Sequence, residues 1–215
     1  GLTVAGNLSV DGGTIKLDGN HPTGTSNVAL GDAALDDGSL SGGYNTAVGN
    51  AALGENEGGQ ENSAFGFATL DANTSGNNNT ALGSQAGSGN TTGADNTAVG
   101  KNSLRANTTA NNNTAVGSNA LLSNTTGHSN VSVGHNSLDA NTEGFMNVAV
   151  GRHALGANTT ADENTALGNQ ALLVNTTGAN NVAVGASALE ANTTGGSSVA
   201  VGKGALDANT TGTTN

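Results

Sequence analysis

A 17-residue repeat with the pattern N-T-A-V-G-x-x-A-L-x-A-N-T-T-G-x-x runs through most of this 215-residue chain. The glycine at its fifth position occurs eleven times, first after an interval of 18 residues and then after nine intervals of 17. A disordered chain has no reason to keep such a register, whereas a stack of structural coils does. The repeat therefore predicts a solenoid, and it places function on a surface of the rod rather than in a globular pocket.

The repeat divides the chain into a lead-in, residues 1–26, and a repeat region, residues 27–215, whose coils begin at positions 27, 45, 62, 79, 96, 113, 130, 147, 164, 181 and 198. The lead-in contains short alternating segments such as Leu2–Val4 and Leu8–Val10. Segments of this kind are typical of short strands, so we expect a β-rich adaptor at the start of the stack.

Within each coil, β-branched and apolar residues occur in runs of four or five that are too short for helices. Glycines such as Gly117 and Gly127 separate these runs, and glycine accepts the positive φ angles of sharp corners. The pattern predicts two short strands per coil. The expected fold class is all-β, a parallel β-solenoid of eleven coils.

Two repeat positions are almost always large and apolar, and we predict that both form columns inside the rod. The fourth position provides the first column: Leu30, Val48, Phe65, Leu82, Val99, Val116, Val133, Val150, Leu167, Val184 and Val201. The ninth position is leucine in every coil but one, where Gly87 stands instead. It provides the second column: Leu35, Leu53, Leu70, Leu104, Leu121, Leu138, Leu155, Leu172, Leu189 and Leu206.

The strand around the fourth position is restricted on both of its faces. The third position is alanine in every coil except at Ser132, and it points away from the fourth in an extended strand. The eighth and ninth positions, such as Ala120 and Leu121, are expected to face opposite ways as well. A strand restricted on both faces is usually covered on both. Since a thin coil covers only one face, we expect an obligate homo-oligomer.

Asparagine occupies two further columns of the repeat. Stacked asparagines can hydrogen-bond from coil to coil at strand spacing and can satisfy backbone groups of turns. We therefore predict structural ladders rather than ligand sites. The first position provides Asn45, Asn62, Asn79, Asn96, Asn113, Asn130, Asn147, Asn164 and Asn181, and the twelfth position provides Asn107, Asn124, Asn141, Asn158, Asn175 and Asn192.

Composition argues against several classes of function. Five basic and sixteen acidic residues give a net charge of −11, which disfavours nucleic acid and anionic membrane surfaces as partners. No apolar run approaches the roughly 20 residues of a membrane helix, so we expect no membrane insertion. The sequence contains no nucleophile elbow, H-E-x-x-H motif or phosphate-binding glycine loop. We predict no enzymatic activity, no cofactor and no metal site.

Recognition is expected at the positions that vary between coils, because such positions of a solenoid face solvent. His135, Arg152 and His153 lie in adjacent coils and form a small basic spot on an acidic rod. This spot could contact an anionic glycan, or it could only offset local negative charge. Threonines at positions 13 and 14 form a hydroxyl-rich stripe, which raises ice binding as a third possibility.

Copies such as Asn96–Gly100 and Asn181–Gly185 resemble the S-V-A-I-G head repeat of trimeric autotransporter adhesins, whose heads are left-handed parallel β-rolls wound as trimers. The adhesin repeat is usually shorter. The full form with A-L-x-A-N-T-T-G, together with the opening Gly1–Gly6, looks more like the repeat shafts of bacteriophage tail fibres. The resemblance covers residues 27–215, and it implies a left-handed homotrimer.

The resemblance implies a non-enzymatic fibre segment, a trimeric rod of a phage tail fibre that supports host-cell attachment. Such a chain is extracellular and part of the virion, and its partners are two further copies and a host-surface receptor or glycan. The alternative is the head of a trimeric adhesin on a bacterial cell surface, binding matrix protein or glycan. An ice-binding solenoid is the third hypothesis.

Overall fold

A computed structural model describes residues 26–215, which form a parallel β-solenoid without helices. The strands predicted for the lead-in lie outside these described residues. One strand occurs in each coil, and about ten turns of about 17 residues connect eleven strands. The strands are Val28–Leu30 (β1), Thr46–Val48 (β2), Ser63–Phe65 (β3), Thr80–Leu82 (β4), Thr97–Val99 (β5), Thr114–Val116 (β6), Val131–Val133 (β7), Val148–Val150 (β8), Thr165–Leu167 (β9), Val182–Val184 (β10) and Val199–Val201 (β11).

The strands form one sheet in chain order from β1 to β11, and every strand pairs in parallel with the next. Equal repeat positions are partners, so that Ala98 of β5 lies beside Ala115 of β6. The longer first coil keeps the same register, since Val28 pairs with Thr46. The repeat seen in the sequence is thus the repeat of the structure, and each sequence column becomes a column of stacked side chains.

Each coil contains one strand, so the prediction of two strands per coil is wrong. The reason lies in the backbone after the strand. In the coil that begins at Asn113, Asn119 and Leu121 have left-handed φ angles of 58° and 51°. Residues in this conformation interrupt an extended chain. The turns nevertheless stack through hydrogen bonds, because the Leu121 amide donates to the Ser137 carbonyl at 3.0 Å.

The leucine column lies inside the rod, as predicted. Leu53, Leu121 and Leu189 have no exposed surface, and together with buried alanines the leucines form one continuous core. Leu206, in the last described coil, is 41 % exposed. Gly87 adopts φ 60°, in the same left-handed region as the leucines at the other ninth positions. The backbone conformation of the ninth position is therefore the same in the coil that lacks a leucine.

The predicted fourth-position column does not lie inside the described chain. Its side chains point outward, while the third-position alanines, such as Ala115, are fully buried. The strand segment packs close to the core, and an inward methyl group fills the space. The outward residues are half-buried or exposed: Leu30, Val48, Phe65, Leu82, Val99, Val116, Val133, Val150, Leu167, Val184 and Val201.

The eighth and ninth positions do not face opposite ways either. Ala120 and Leu121 are both fully buried. The alternation of faces holds for extended backbone only. Because Leu121 has a left-handed φ angle of 51°, its side chain turns inward beside that of Ala120.

Both predicted asparagine ladders are present. In the first, the Asn130 amide N–H donates to Asn113 Oδ1 at 2.9 Å. In the second, Asn141 Nδ2 donates to Asn124 Oδ1 at 2.8 Å. The two ladders meet at the Gly127 carbonyl, which accepts bonds from Asn113 Nδ2 at 2.9 Å and Asn124 Nδ2 at 2.8 Å. These bonds satisfy the amides inside the rod, where an unpaired polar group would be costly.

The two glycines expected at corners have different roles. Gly117 has φ 135°, a conformation that side-chain-bearing residues rarely adopt. Gly127 is outside the left-handed region. A Cβ atom on Gly127 would lie 2.3 Å from the Gly144 carbonyl oxygen and 2.5 Å from Asn124 Oδ1. Glycine is required there because the asparagine ladder and the next coil occupy the space.

Candidate interaction surfaces

One candidate surface is the outer side of the sheet, which we call the strand face. It consists of the second- and fourth-position side chains of strands β1 to β11. Val199 is 60 % exposed, Leu82 is 51 % exposed and Leu167 is 46 % exposed. The second position is threonine, valine or serine in all eleven strands. The strand face is thus an ordered array of aliphatic groups and hydroxyls with an apolar fourth-position column.

The dimensions of the strand face follow from its register. Eleven strands at about 4.8 Å spacing give a length of about 50 Å, and three extended residues give a width of about 10 Å. An area of about 500 Å² lies near the upper end of the apolar patches found on monomeric proteins. No segment within residues 26–215 covers this surface.

The structure brings the predicted basic spot together. The His135 and His153 rings meet edge to face with centroids 5.8 Å apart. The His153 amide also donates to the His135 carbonyl at 3.1 Å, and the Arg152 side chain beside them is exposed. Asp139 completes the group, and sequence reasoning missed it because it lies at the tenth position of the repeat, apart from the histidines in the pattern.

Asp139 changes the electrostatics of this spot. Burial raises the pKa of Asp139, while the nearby His153 and His135 act in the opposite direction. The spot contains a carboxylate as well as its basic side chains. The cluster is therefore mixed in charge, and this favours the second interpretation of the spot over binding of an anionic glycan. Across residues 26–215, no group of three or more His, Cys, Asp or Glu side chains is arranged to hold a metal ion.

A second contact between variable side chains lies at the corner of neighbouring coils. The rings of His128 and Phe145 are stacked with centroids 5.0 Å apart and an angle of 10° between their planes. This stack leaves Phe145 only partly exposed. Met146 beside it is 52 % exposed. Packing between neighbouring coils thus covers part of the Phe145 side chain, while the Met146 side chain stays exposed.

The threonine stripe divides into two columns with different roles. At position 13 the hydroxyls bond to the next coil, as when Thr91 Oγ1 donates to the Thr108 carbonyl at 2.9 Å. At position 14 the side chains are exposed, as at Thr109 and Thr126. Gly58, Ser75 and Glu143 replace threonine in this outer column. The stripe facing solvent is consequently one threonine wide and interrupted.

No family model matches the sequence. No curated protein and no solved structure matches it either. Within the described part of the chain there is no helix with the length and apolar character needed to cross a membrane.

Proposed function

We propose that this chain is a non-enzymatic fibre segment, a homotrimeric rod of a phage tail fibre that supports attachment to a host cell. The observation that carries the proposal is the strand face. An uncovered apolar array about 50 Å long is a surface for association. Other copies of this chain have an identical array with the same spacing between coils.

Self-association explains why the fourth position stays apolar although it lies outside the core. Val99, Val116 and Val133 follow one another along the rod, and each is only partly exposed in the single chain. When copies pack with their strand faces toward a common axis, these side chains leave water and form a second core between the chains. The number of copies, three, and the left hand come from the resemblance to tail-fibre shafts and adhesin heads.

The attachment role comes from the form of the rod together with that resemblance. The buried groups of each coil make the same contacts with the next coil. The variable residues lie on the outside of the rod. Such a rod can hold a recognition surface at a fixed distance from a particle. An acidic surface of net charge −11 keeps neighbouring fibres apart in solution.

Sedimentation equilibrium of the full chain tests the assembly. The expected mass is three times the 20.6 kDa of one chain, at all micromolar concentrations. A folded monomer would contradict the proposal.

Electron microscopy with a gold-labelled antibody tests the location. In the organism that encodes the chain, we expect label on the tail fibres of phage particles. Label on the bacterial surface, with particles unlabelled, would instead establish the adhesin alternative.

A further inference from the structure

An open cleft interrupts the outer surface of the rod at the coil that begins at Asn79. Its volume is about 610 Å³, and Ser88 and Gly89 are among the residues that line it. The preceding coil contributes Asp71, and the following coil contributes Arg105. In this coil, Gly87, Ser88 and Gly89 stand where the repeat has leucine, a variable residue and alanine. The cleft therefore marks the one coil in which the repeat loses its leucine.

The backbone fixes the shape of this cleft. The Gly89 amide donates to the Arg105 carbonyl at 2.8 Å. A Cβ atom on Gly89 would lie 2.6 Å from that same carbonyl oxygen, so only glycine fits. The floor is thus held by hydrogen bonding between coils rather than by mobile side chains. A floor that is already formed adds little to the conformational entropy that ligand binding costs.

The polar side chains around the cleft are available to a ligand. Within residues 26–215, Asp71 and Arg105 form no ion pair with each other or with any other side chain. The side chains of Gln85 and Ser88, which lie between them, also have no hydrogen-bond partner in that part of the chain. Partial burial and the charge of Glu55 raise the pKa of Asp71, so its carboxylate would gain from a hydrogen-bond donor.

The arrangement of these groups identifies the class of ligand. Asp71 and Arg105 are two coils apart, which corresponds to about 10 Å between their backbones. The residues that line the cleft include one carboxylate and one guanidinium, while Glu55 lies outside the lining. The lining itself therefore favours neither a strong anion nor a strong cation. Paired hydroxyl groups can donate to a carboxylate and accept from a guanidinium, each in a bidentate way.

Apolar side chains also line the cleft, among them Ala68, Ala106 and Leu122. A lining with both apolar and hydrogen-bonding side chains suits a ligand that has both an apolar face and hydroxyl groups. The volume of about 610 Å³ is within the range of small-molecule sites.

We infer that this cleft binds a neutral saccharide unit, held by Asp71, Gln85, Ser88 and Arg105 against Leu122. The inference deepens the proposed attachment function and rests on it for its biological meaning, since the saccharide would belong to a glycan on the host surface. Three copies in a rod would present three such clefts at the same height.

Saturation-transfer NMR and calorimetry on the full chain test this site. The probes are glucose, galactose, mannose and N-acetylglucosamine with their disaccharides, and glucuronic acid and glucosamine as charged counterparts. We expect at least one neutral probe to bind in the millimolar range, more tightly than either charged probe. No binding of any neutral probe, or tighter binding of a charged one, would overturn the inference.

Ser88→Leu fills the cleft with a side chain that the fold accepts, because Leu122 and Leu173 occupy the same repeat position in other coils. We expect it to weaken binding by about tenfold or more, and Arg105→Leu to do the same. Glu190→Leu is the matched control, since it makes the same kind of change at the same position far from the cleft. Binding that survives Ser88→Leu would place the saccharide elsewhere.

The failure of this inference and the failure of the proposed function are distinguishable. If no saccharide binds, the sedimentation mass and the antibody label on tail fibres are unaffected, and the fibre proposal stands. If saccharide binding is lost in Ser88→Leu but the antibody labels no fibre, the cleft is established and the fibre proposal fails.

Discussion

The two sides of each strand obey different rules. On the inner side the third position is alanine, as at Ala98 and Ala115, and these side chains are almost completely buried. On the outer side the fourth position varies in size, from Val116 to Leu82 and Phe65. The inner volume is fixed by the leucines and the asparagine ladders of the same chain. The outer side is apolar without a fixed volume, as the proposed packing between chains would allow.

Ser132 is the one third-position residue that is not alanine, and its hydrogen bonds show what a buried polar side chain requires at this position. In the coil that begins at Asn130, serine replaces alanine at both the third and the eighth positions. The hydroxyls of Ser132 and Ser137 hydrogen-bond to each other, and Ser132 Oγ also donates to the Ser137 carbonyl at 2.8 Å. A buried hydroxyl without a partner is costly, and Ser137 supplies the partners of the Ser132 hydroxyl while its own hydroxyl also donates to the Gly134 carbonyl at 3.0 Å.

Ala115→Asp should have the largest effect, because it places an unpaired carboxylate inside the rod. We expect the free energy of unfolding to fall by at least about 3 kcal/mol, or the chain to misfold. Urea unfolding followed by circular dichroism measures this. Equal stability of Ala115→Asp and the parent chain would show that the third position is not enclosed.

Val116→Asp, one residue further on, should leave the single chain folded and prevent its assembly. The new carboxylate faces solvent in one chain but would be buried between chains in a trimer. We expect a folded species with the mass of one chain in sedimentation, whereas Lys101→Ser at an exposed position should sediment like the parent. An oligomer formed by Val116→Asp would exclude the strand face as the interface.

Asn124→Ala tests the ladder that supports the inner side. Asn124 is fully buried, and its removal leaves Asn107 Oδ1, Asn141 Nδ2 and the Gly127 carbonyl each without one partner. We expect a loss of about 2–3 kcal/mol in the free energy of unfolding. Thr126→Ala, at an exposed position of the same coil, is the control and should change stability little. Similar losses in both variants would mean that the ladder does not stabilise the rod.

The smallest effect is expected from Ser187→Gly, and glycine at a buried left-handed position should act in the opposite direction. Ser187 is partly exposed with φ 57°, and Leu189 is fully buried with φ 52°. Ser187→Gly relieves the steric cost of this conformation and should stabilise the rod by up to about 1 kcal/mol. Leu189→Gly removes core packing and should destabilise it by about 2–5 kcal/mol. Thermal unfolding compares the two, and destabilisation by both would show that backbone strain at position 187 is negligible.

Much of this architecture could be predicted from the repeat. The period and the parallel register follow from equal spacing, and the asparagine ladders follow from identical amides at strand spacing. The burial of leucines such as Leu121 was predictable because they are large and apolar in nearly every coil. What misled the prediction was Val116, which is as apolar as a core residue although it lies outside the core of its own chain.

The cleft and the charge of the histidine cluster could not be predicted. Asp71 and Arg105 are 34 positions apart, and only the stacking of coils makes them neighbours across Ser88. The stacking of coils likewise brings Asp139 close to His153. The signal available in the sequence was the break in the leucine column at Gly87, which marks where the surface departs from its regular form.

The sequence by itself determined the period, the parallel stack and the identity of the residues that repeat, because a column of equal side chains requires equal spacing. Only the tertiary structure decided which side of each strand faces inward. Alternation along a strand separates the third position from the fourth but does not say which is inside. The left-handed leucines and the asparagine ladders settle it, because they fill the interior and leave room at the strand for the methyl group of alanine.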